Sequence, residues 1–229
     1  MLKRFYNGVE LAMWILDEKL DRHVKLLIER YPILASIENE IIDAYFILEE
    51  LYNNGGKLLI AGNGGSASDA EHITGELMKG FKKLRKVPVK FAETLVNVNS
   101  IYGKELAEKL QGALPAIALN NHTALSTAYL NDIDGVLCFA QQVNGYGKNG
   151  DVLLGISTSG NSKNVLYAAV TAKAKGMKVI ALSGNDGGKI KDISDVSIIV
   201  PEIETFIIQE LHLPIYHCLC LMLEDKFFE

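Results

Sequence analysis

The sequence predicts an open, doubly wound parallel α/β sheet, preceded by a helical region and closed by a long helix. Three observations carry that expectation. The runs VLLGI (152–156), KVIAL (178–182) and VSIIV (196–200) are almost continuously apolar, as strands are when both faces of a parallel sheet are covered. They alternate with segments of helical length and periodicity, the pattern of successive βαβ units. Glycine- and hydroxyl-rich loops fall at the carboxyl ends of the strands, where such sheets bind ligands.

Taken in order, residues 1–54 read as helical throughout. The N-terminal stretch reads as an amphipathic helix, and Ile41, Ile42, Tyr45, Phe46, Leu48 and Leu51 recur at helical spacing. Gly55-Gly56 stops that region, and a strand is expected at 57–61 with a helix at 67–79. A mixed segment runs to about 150, then a strand at 151–156 and a helix at 162–175. Gly176 is placed as the C′ residue ending that helix. Two further strands follow, MKVIALSG (177–184) and 196–200, and Pro201 leads into a helix over 205–228. With no repeat or low-complexity stretch, residues 1–229 read as a single domain: helical region 1–56, α/β core 57–204 with an extended 80–127 segment, and C-terminal helix 205–229.

A chain of 229 residues with 48% hydrophobic content can bury a large core. No stretch approaches the roughly 18 uninterrupted apolar residues of a membrane span, and the N-terminus lacks a signal peptide's apolar core. A cytoplasmic, membrane-free protein is expected. The net charge of −5 argues against nucleic acid as a partner, leaving KGFKKLRKVPVK (79–90) as the one basic run. That run reads as a solvated face or flexible loop, or else as a steering patch for an anion. Cys138, Cys218 and Cys220 form no metal or redox pattern and read as small buried hydrophobes.

The chemistry concentrates in two stretches. In LLIAGNGGSASDAEHITGEL (58–77) a strand enters the loop Gly62-Asn63-Gly64-Gly65-Ser66, which opens a helix and presents backbone N–H groups to an anion. His72 and Glu76, four residues apart, share one helix face and can address one ligand or metal. In VLLGISTSGNSKN (152–164), Ser157, Thr158, Ser159 and Ser162 supply hydroxyls beside a helix N-terminus, enough to hold a phosphate without a lysine. Plain helix capping by Ser159 or Asn161 is the competing reading. Gly62-x-Gly64-x-x-Ala67 meets the dinucleotide pattern, but the acidic residue expected about 20 positions later is missing, and no Walker A sequence occurs. In the last helix Gln209 and His217 roughly share a face, with His212 on a neighbouring one and Pro214 removing an N–H.

These stretches, with AKGMKVIALSG (174–184) and the spacing from Gln209-Glu210-Leu211-His212 to His217, resemble the sugar isomerase (SIS) domain. Within it they are similar to the phosphoheptose isomerase family, over roughly 57–79 and 128–224. The resemblance implies an aldose–ketose isomerase that converts sedoheptulose 7-phosphate to D-glycero-D-manno-heptose 7-phosphate through an enediol or enediolate. It implies Ser157, Thr158, Ser159 and Ser162 as the phosphate loop. Asn63, Gly64, Gly65 and Ser66, with Asn131, Asp132 and Gln209, would line the sugar. It implies zinc, one per active site, on His72, Glu76, Gln209 and His217, with Glu76 as base and His217 as acid. A Glu that ligates zinc is a poorer base, so the two roles of Glu76 compete. The resemblance further implies a homotetramer whose active sites draw on adjacent subunits, so that the C-terminal helix serves a neighbour. The alternative it leaves is a non-catalytic SIS protein that binds a replication initiator or senses a phosphosugar. Two departures from the family are expected to matter: an added helical or lid element at Phe91–Ala118, and Phe206 in place of an acidic residue.

Overall fold

The computed structural model describes residues 4–6, 9–11 and 16–228. Its centre is a five-stranded parallel sheet: β3 (Leu58–Gly62), β4 (Ala116–Ala118), β5 (Val152–Ile156), β6 (Lys178–Ser183) and β7 (Val196–Ile199). The spatial order is β4-β3-β5-β6-β7, with Leu58 paired to Val152 and Val152 to Lys178. Strand order therefore reverses between β3 and β5. That is the topological switch point of a doubly wound sheet, where the carboxyl ends of neighbouring strands open a crevice.

Side chains along each strand alternate between two cores, which is why the sequence runs are continuously apolar. Leu58, Ile60, Leu154, Ile180 and Ile198 face α1 (Glu18–Arg30), α2 (Glu38–Asn53), α3 (Gly65–Met78) and α9 (Thr205–Phe227). Leu59, Ala61, Leu153, Val179 and Ala181 face α7 (Cys138–Tyr146) and α8 (Lys163–Ala174). Each large aliphatic side chain withdrawn this way contributes about 1.5–3 kcal/mol. Asp17 caps α1, accepting the Lys19 N–H at 2.9 Å, and Leu20, Val24 and Leu27 form its buried stripe. Gly176, at φ +75°, stands just beyond Lys175, the C-cap of α8, as the C′ residue expected. The three cysteines are buried and free. Among the described residues α9 alone is long and apolar enough to cross a membrane, and most of it is buried inside the fold.

Three expectations change. The N-terminal stretch is not one amphipathic helix: Arg4–Tyr6 (β1) and Val9–Leu11 (β2) pair antiparallel, and α1 begins only at Glu18. The remaining residues before Leu16 lie outside the described residues. Asn7-Gly8, between the strands in sequence, is a strong two-residue hairpin signal that outweighs a weak helical pattern. The Phe91–Ala118 element is helical only in part. Helices α4 (Val89–Val98) and α5 (Tyr102–Lys109) pack on each other as an arm closed at its base by a Lys86–Gln111 bridge, but Ala116–Ala118 is the edge strand β4. A cleft of about 630 Å³ lies along the arm. Finally, the basic run is not solvated throughout: Lys79, Lys82, Lys86 and Lys90 are exposed, but Arg85 at its centre is 1% exposed.

Candidate active site

The two loops predicted to bind an anion meet at the switch point. Asn63, after β3, and Asn164, in the first turn of α8, exchange amide hydrogen bonds of 2.9 and 2.8 Å and fasten the loops together. After β5, the Ser157 hydroxyl donates to Ser162 Oγ at 3.0 Å. Ser159 Oγ accepts the Asn161 N–H at 3.2 Å, so Ser159 stabilises the loop's own turn rather than capping α8. Gly160 holds the turn at φ +64°, where any Cβ would collide with the Gly187 carbonyl. Ser162 stands at the N-cap of α8 with no side-chain cap bond, leaving that N-terminus open to an anion. Thr158 is half-buried in the same turn. On the other loop, Gly64 is the N-cap of α3 at φ +55°, and Ser66 is buried in the helix's first turn. Gly65 has no room for a side chain: a Cβ there would lie 2.5 Å from Gln209 Nε2. Gln209 thus flanks the glycine loop.

The second half of the site is made by packing α3 against α9. His72 is its hub. Its Nε2 lies 3.3 Å from Glu76 Oε1 and 3.4 Å from His217 Nε2. Its Nδ1 lies 3.0 Å from the Tyr216 hydroxyl, which donates to Asp69 Oδ1 at 3.2 Å. The rings of His72 and Phe81 flank His217 at centroid distances of 5.0 and 5.2 Å. Burial, and then the neighbouring His72, hold the His217 ring below the usual histidine value, which favours the neutral imidazole near pH 7. Burial raises the Asp69 carboxyl, against the Tyr216 hydrogen bond that lowers it. Glu76 is mostly shielded, with Lys79 Nζ 3.3 Å from Oε2. His212 takes no part: it is fully buried, contacts the Ser183 carbonyl at 3.3 Å, and is pushed down to about 4 by desolvation.

The predicted metal set is thus gathered unevenly. His72, Glu76 and His217 converge within one chain, whereas Gln209 sits against Gly65, eight residues or about 12 Å of helix from His217. Among the described residues no three His, Cys, Asp or Glu side chains close around a common point. The two edges that meet at His72 nonetheless fit a metal. Ligands about 2.0–2.2 Å from a tetrahedral zinc lie about 3.3–3.5 Å apart, as His72–His217 and His72–Glu76 do. Asn131 and Asp132, at the end of α6 (Thr123–Asp132), bond each other at 2.7 Å, and their helix packs mainly on the following turn and α7.

Sequence reasoning overlooked four contributors. Asn164 closes the phosphate loop against Asn63. Asp69 and Tyr216 buttress His72; Asp69 stands one helical turn before it, a spacing that could have flagged it. The fourth is a clamp at the far end of α3. Arg85 donates to the Glu76 and Leu77 carbonyls at 2.9 and 2.8 Å and to Glu224 Oε1 at 2.8 Å. Glu224 also accepts the Phe81, Lys82 and Lys83 N–H groups. Those bonds and the Arg85 charge hold its carboxyl below the usual glutamate range, against desolvation.

The matches to known proteins agree with this geometry. The SIS domain family model matches residues 104–184. A phosphoheptose isomerase from a Nitratiruptor species is 43% identical over 187 residues, covering 82% of this chain and 86% of that one. This chain belongs to the phosphoheptose isomerase family. Membership makes it an aldose–ketose isomerase, as its motifs implied. The solved phosphoheptose isomerase from Francisella tularensis superposes with a TM-score of 0.71 at 31% identity, covering 91% of this chain and 97% of that one. The enzyme from Neisseria gonorrhoeae gives 0.69 at 33% identity, with 91% and 98% covered.

Proposed function

We propose that the protein interconverts sedoheptulose 7-phosphate and D-glycero-D-manno-heptose 7-phosphate, with Glu76 moving the carbon-bound proton and His217 the oxygen-bound one. The observation that carries this reading is that His72 brings Glu76 and His217 together between α3 and α9, while the glycine loop that opens α3 is fastened to the open, hydroxyl-lined start of α8. The Ser157–Ser162 turn and the start of α8 take the phosphate. Asn63, Gly64, Gly65, Ser66 and Gln209 border the sugar chain, and Asn131 and Asp132 complete the polar lining.

The ketose C2 carbonyl then lies beside His217 and the C1 hydrogens beside Glu76. Glu76 removes a C1 proton as the neutral His217 imidazole donates its N–H proton to the C2 oxygen, giving the enediol. His217 recovers a proton from the C1 oxygen, and Glu76 returns its proton to C2, giving the aldose. A neutral His217 suits this shuttle, because its proton moves between two oxygens of similar basicity. His72, Glu76 and His217 would hold zinc, with Gln209 as the remaining donor of the set, and the ion would supply Lewis-acid polarisation of the carbonyl. The reading takes residues 1–229 as one catalytic domain. It includes a homotetramer, supported by the apolar residues exposed on the arm, such as Val89, Val98 and Ile101. It also includes a cytoplasmic location, supported by three cysteines left as free thiols.

The test is NMR of the zinc-supplemented protein with sedoheptulose 7-phosphate in deuterated water, with Glu76→Gln alongside. Aldose signals carrying solvent deuterium at C2, absent from the variant, are the expected result. No turnover by the wild-type protein would overturn the reading and favour a phosphosugar-binding role.

A further inference from the structure

We propose that Tyr216 is a positioning residue that, with Asp69, fixes the tautomer of His72 so that Nε2 faces Glu76 and His217 as an unprotonated lone pair. The argument is one of donor and acceptor counting. The Tyr216 hydroxyl has one proton and two neighbours, Asp69 Oδ1 at 3.2 Å and His72 Nδ1 at 3.0 Å. An ionised carboxylate only accepts, so the hydroxyl proton goes to Asp69. The only favourable contact left to His72 is then Nδ1–H donating to the Tyr216 oxygen. A neutral imidazole carries one proton, so Nε2 is bare.

The consequence falls on the reacting cluster. A bare Nε2 sits 3.3 Å from a carboxylate oxygen and 3.4 Å from a second imidazole nitrogen. That arrangement is tolerable only with a proton or a cation between them. The opposite tautomer would point N–H at Glu76, tie up the carboxylate in a hydrogen bond, and offer a metal nothing. Tyr216 is itself 2% exposed, and its ring packs against both His72 and His217, at 5.4 and 5.1 Å between centroids. Outer hydrogen bonds of this kind set ring orientation and ligand basicity where histidines hold metals.

The inference rests on His72 belonging to the reacting cluster, but its test uses neither substrate nor turnover. Long-range proton–nitrogen NMR is recorded on the full-length, chelator-treated protein labelled with 15N-histidine, at a pH where His72 is neutral. Wild-type His72 is expected to show a protonated Nδ1 and a bare Nε2. Asp69→Asn removes the obligate acceptor, lets the Tyr216 proton turn to Nδ1, and shifts the ring toward the Nε2–H form. Tyr216→Phe leaves the two tautomers mixed and weakens zinc binding about 10- to 100-fold in a chelator competition. An Nε2–H ring in the wild type would overturn the proposal. So would a ring unchanged in both variants. A purely structural Tyr216 would alter stability without moving the tautomer, and failure of heptose turnover would leave this readout intact.

Discussion

Two polar clusters sit seven residues apart along α9, two turns of one helix, and they are finished very differently. At Glu224 nearly every lone pair is used. One oxygen accepts from Arg85 and the Phe81 N–H, the other from the Lys82 and Lys83 N–H groups, and each terminal nitrogen of Arg85 donates to a carbonyl near the end of α3. At His217 the opposite holds: His72 Nε2 faces Glu76 Oε1 at 3.3 Å and His217 Nε2 at 3.4 Å, with the outer ring atom of His72 tied down and the inner groups left open. The helix pair is the same in both places. The saturated end fixes the relative position of α3 and α9, and the unsaturated end has somewhere to put a proton, a cation or a substrate oxygen.

The largest expected effect tests the open end. Glu76→Gln keeps the shape of the side chain and removes its basicity, so kcat should fall about 100- to 10,000-fold. The melting temperature should move little. A variant with near-normal kcat would remove Glu76 from the proton transfer. The closed end should answer in the reverse way. Arg85→Met strands the Glu224 carboxylate in the interior, and breaking one side of such a pair costs about 3–5 kcal/mol of folding stability. Urea unfolding measures that loss directly. A variant as stable as the wild type would show that the clamp does not hold the helices.

How much is legible in the sequence differs between the two halves of the site. The strands, their alternation with helices and the phosphate turn are local: VLLGI and STSGNS announce themselves within a dozen residues. The pairing of His72 with His217 spans 145 positions and depends on how α9 lies across α3, which no local pattern encodes; it enters through the family resemblance. Arg85 illustrates the same limit. In a run of lysines it has the look of a solvated residue, and only its partner, 139 positions away, makes it a buried one. The N-terminal strand pair is obscured for a different reason. Weak amphipathic periodicity runs across Asn7-Gly8, although turn chemistry is the stronger local signal. The same kind of long-range packing that hides Arg85 also buries His212.

His212 yields an effect of intermediate size and fixed sign. Its folded value, about 4, lies below the usual 6.5, so the unfolded chain binds the proton more readily. Stability is therefore complete above about pH 6.5 and declines as the pH falls toward 4. The Glu224 carboxylate at the clamp contributes only lower, as pH falls through its depressed folded value. Between pH 6.5 and 4.5 the loss attributable to His212 should be about 2–3 kcal/mol. Denaturant midpoints of wild type and His212→Gln across that window would separate it from the shallower contribution of His217. Parallel curves would mean that the buried ring is not what the acid limb reports.

The smallest effect falls on the phosphate turn, which lies between the two extremes. Its hydroxyls are bonded within the turn itself: Ser157 to Ser162, and Ser159 to the Asn161 N–H. Such bonds are exchangeable, since an incoming phosphate oxygen can replace a hydroxyl partner at little cost. Ser159 is exposed, so its loss strands no buried group. Ser159→Ala should raise KM about tenfold, the equivalent of about 1.4 kcal/mol, with kcat and stability close to wild type. A fall in kcat instead would place Ser159 at the reacting carbons and join the phosphate turn to the open cluster. An unchanged KM would leave the backbone N–H groups at the start of α8 to hold the phosphate by themselves.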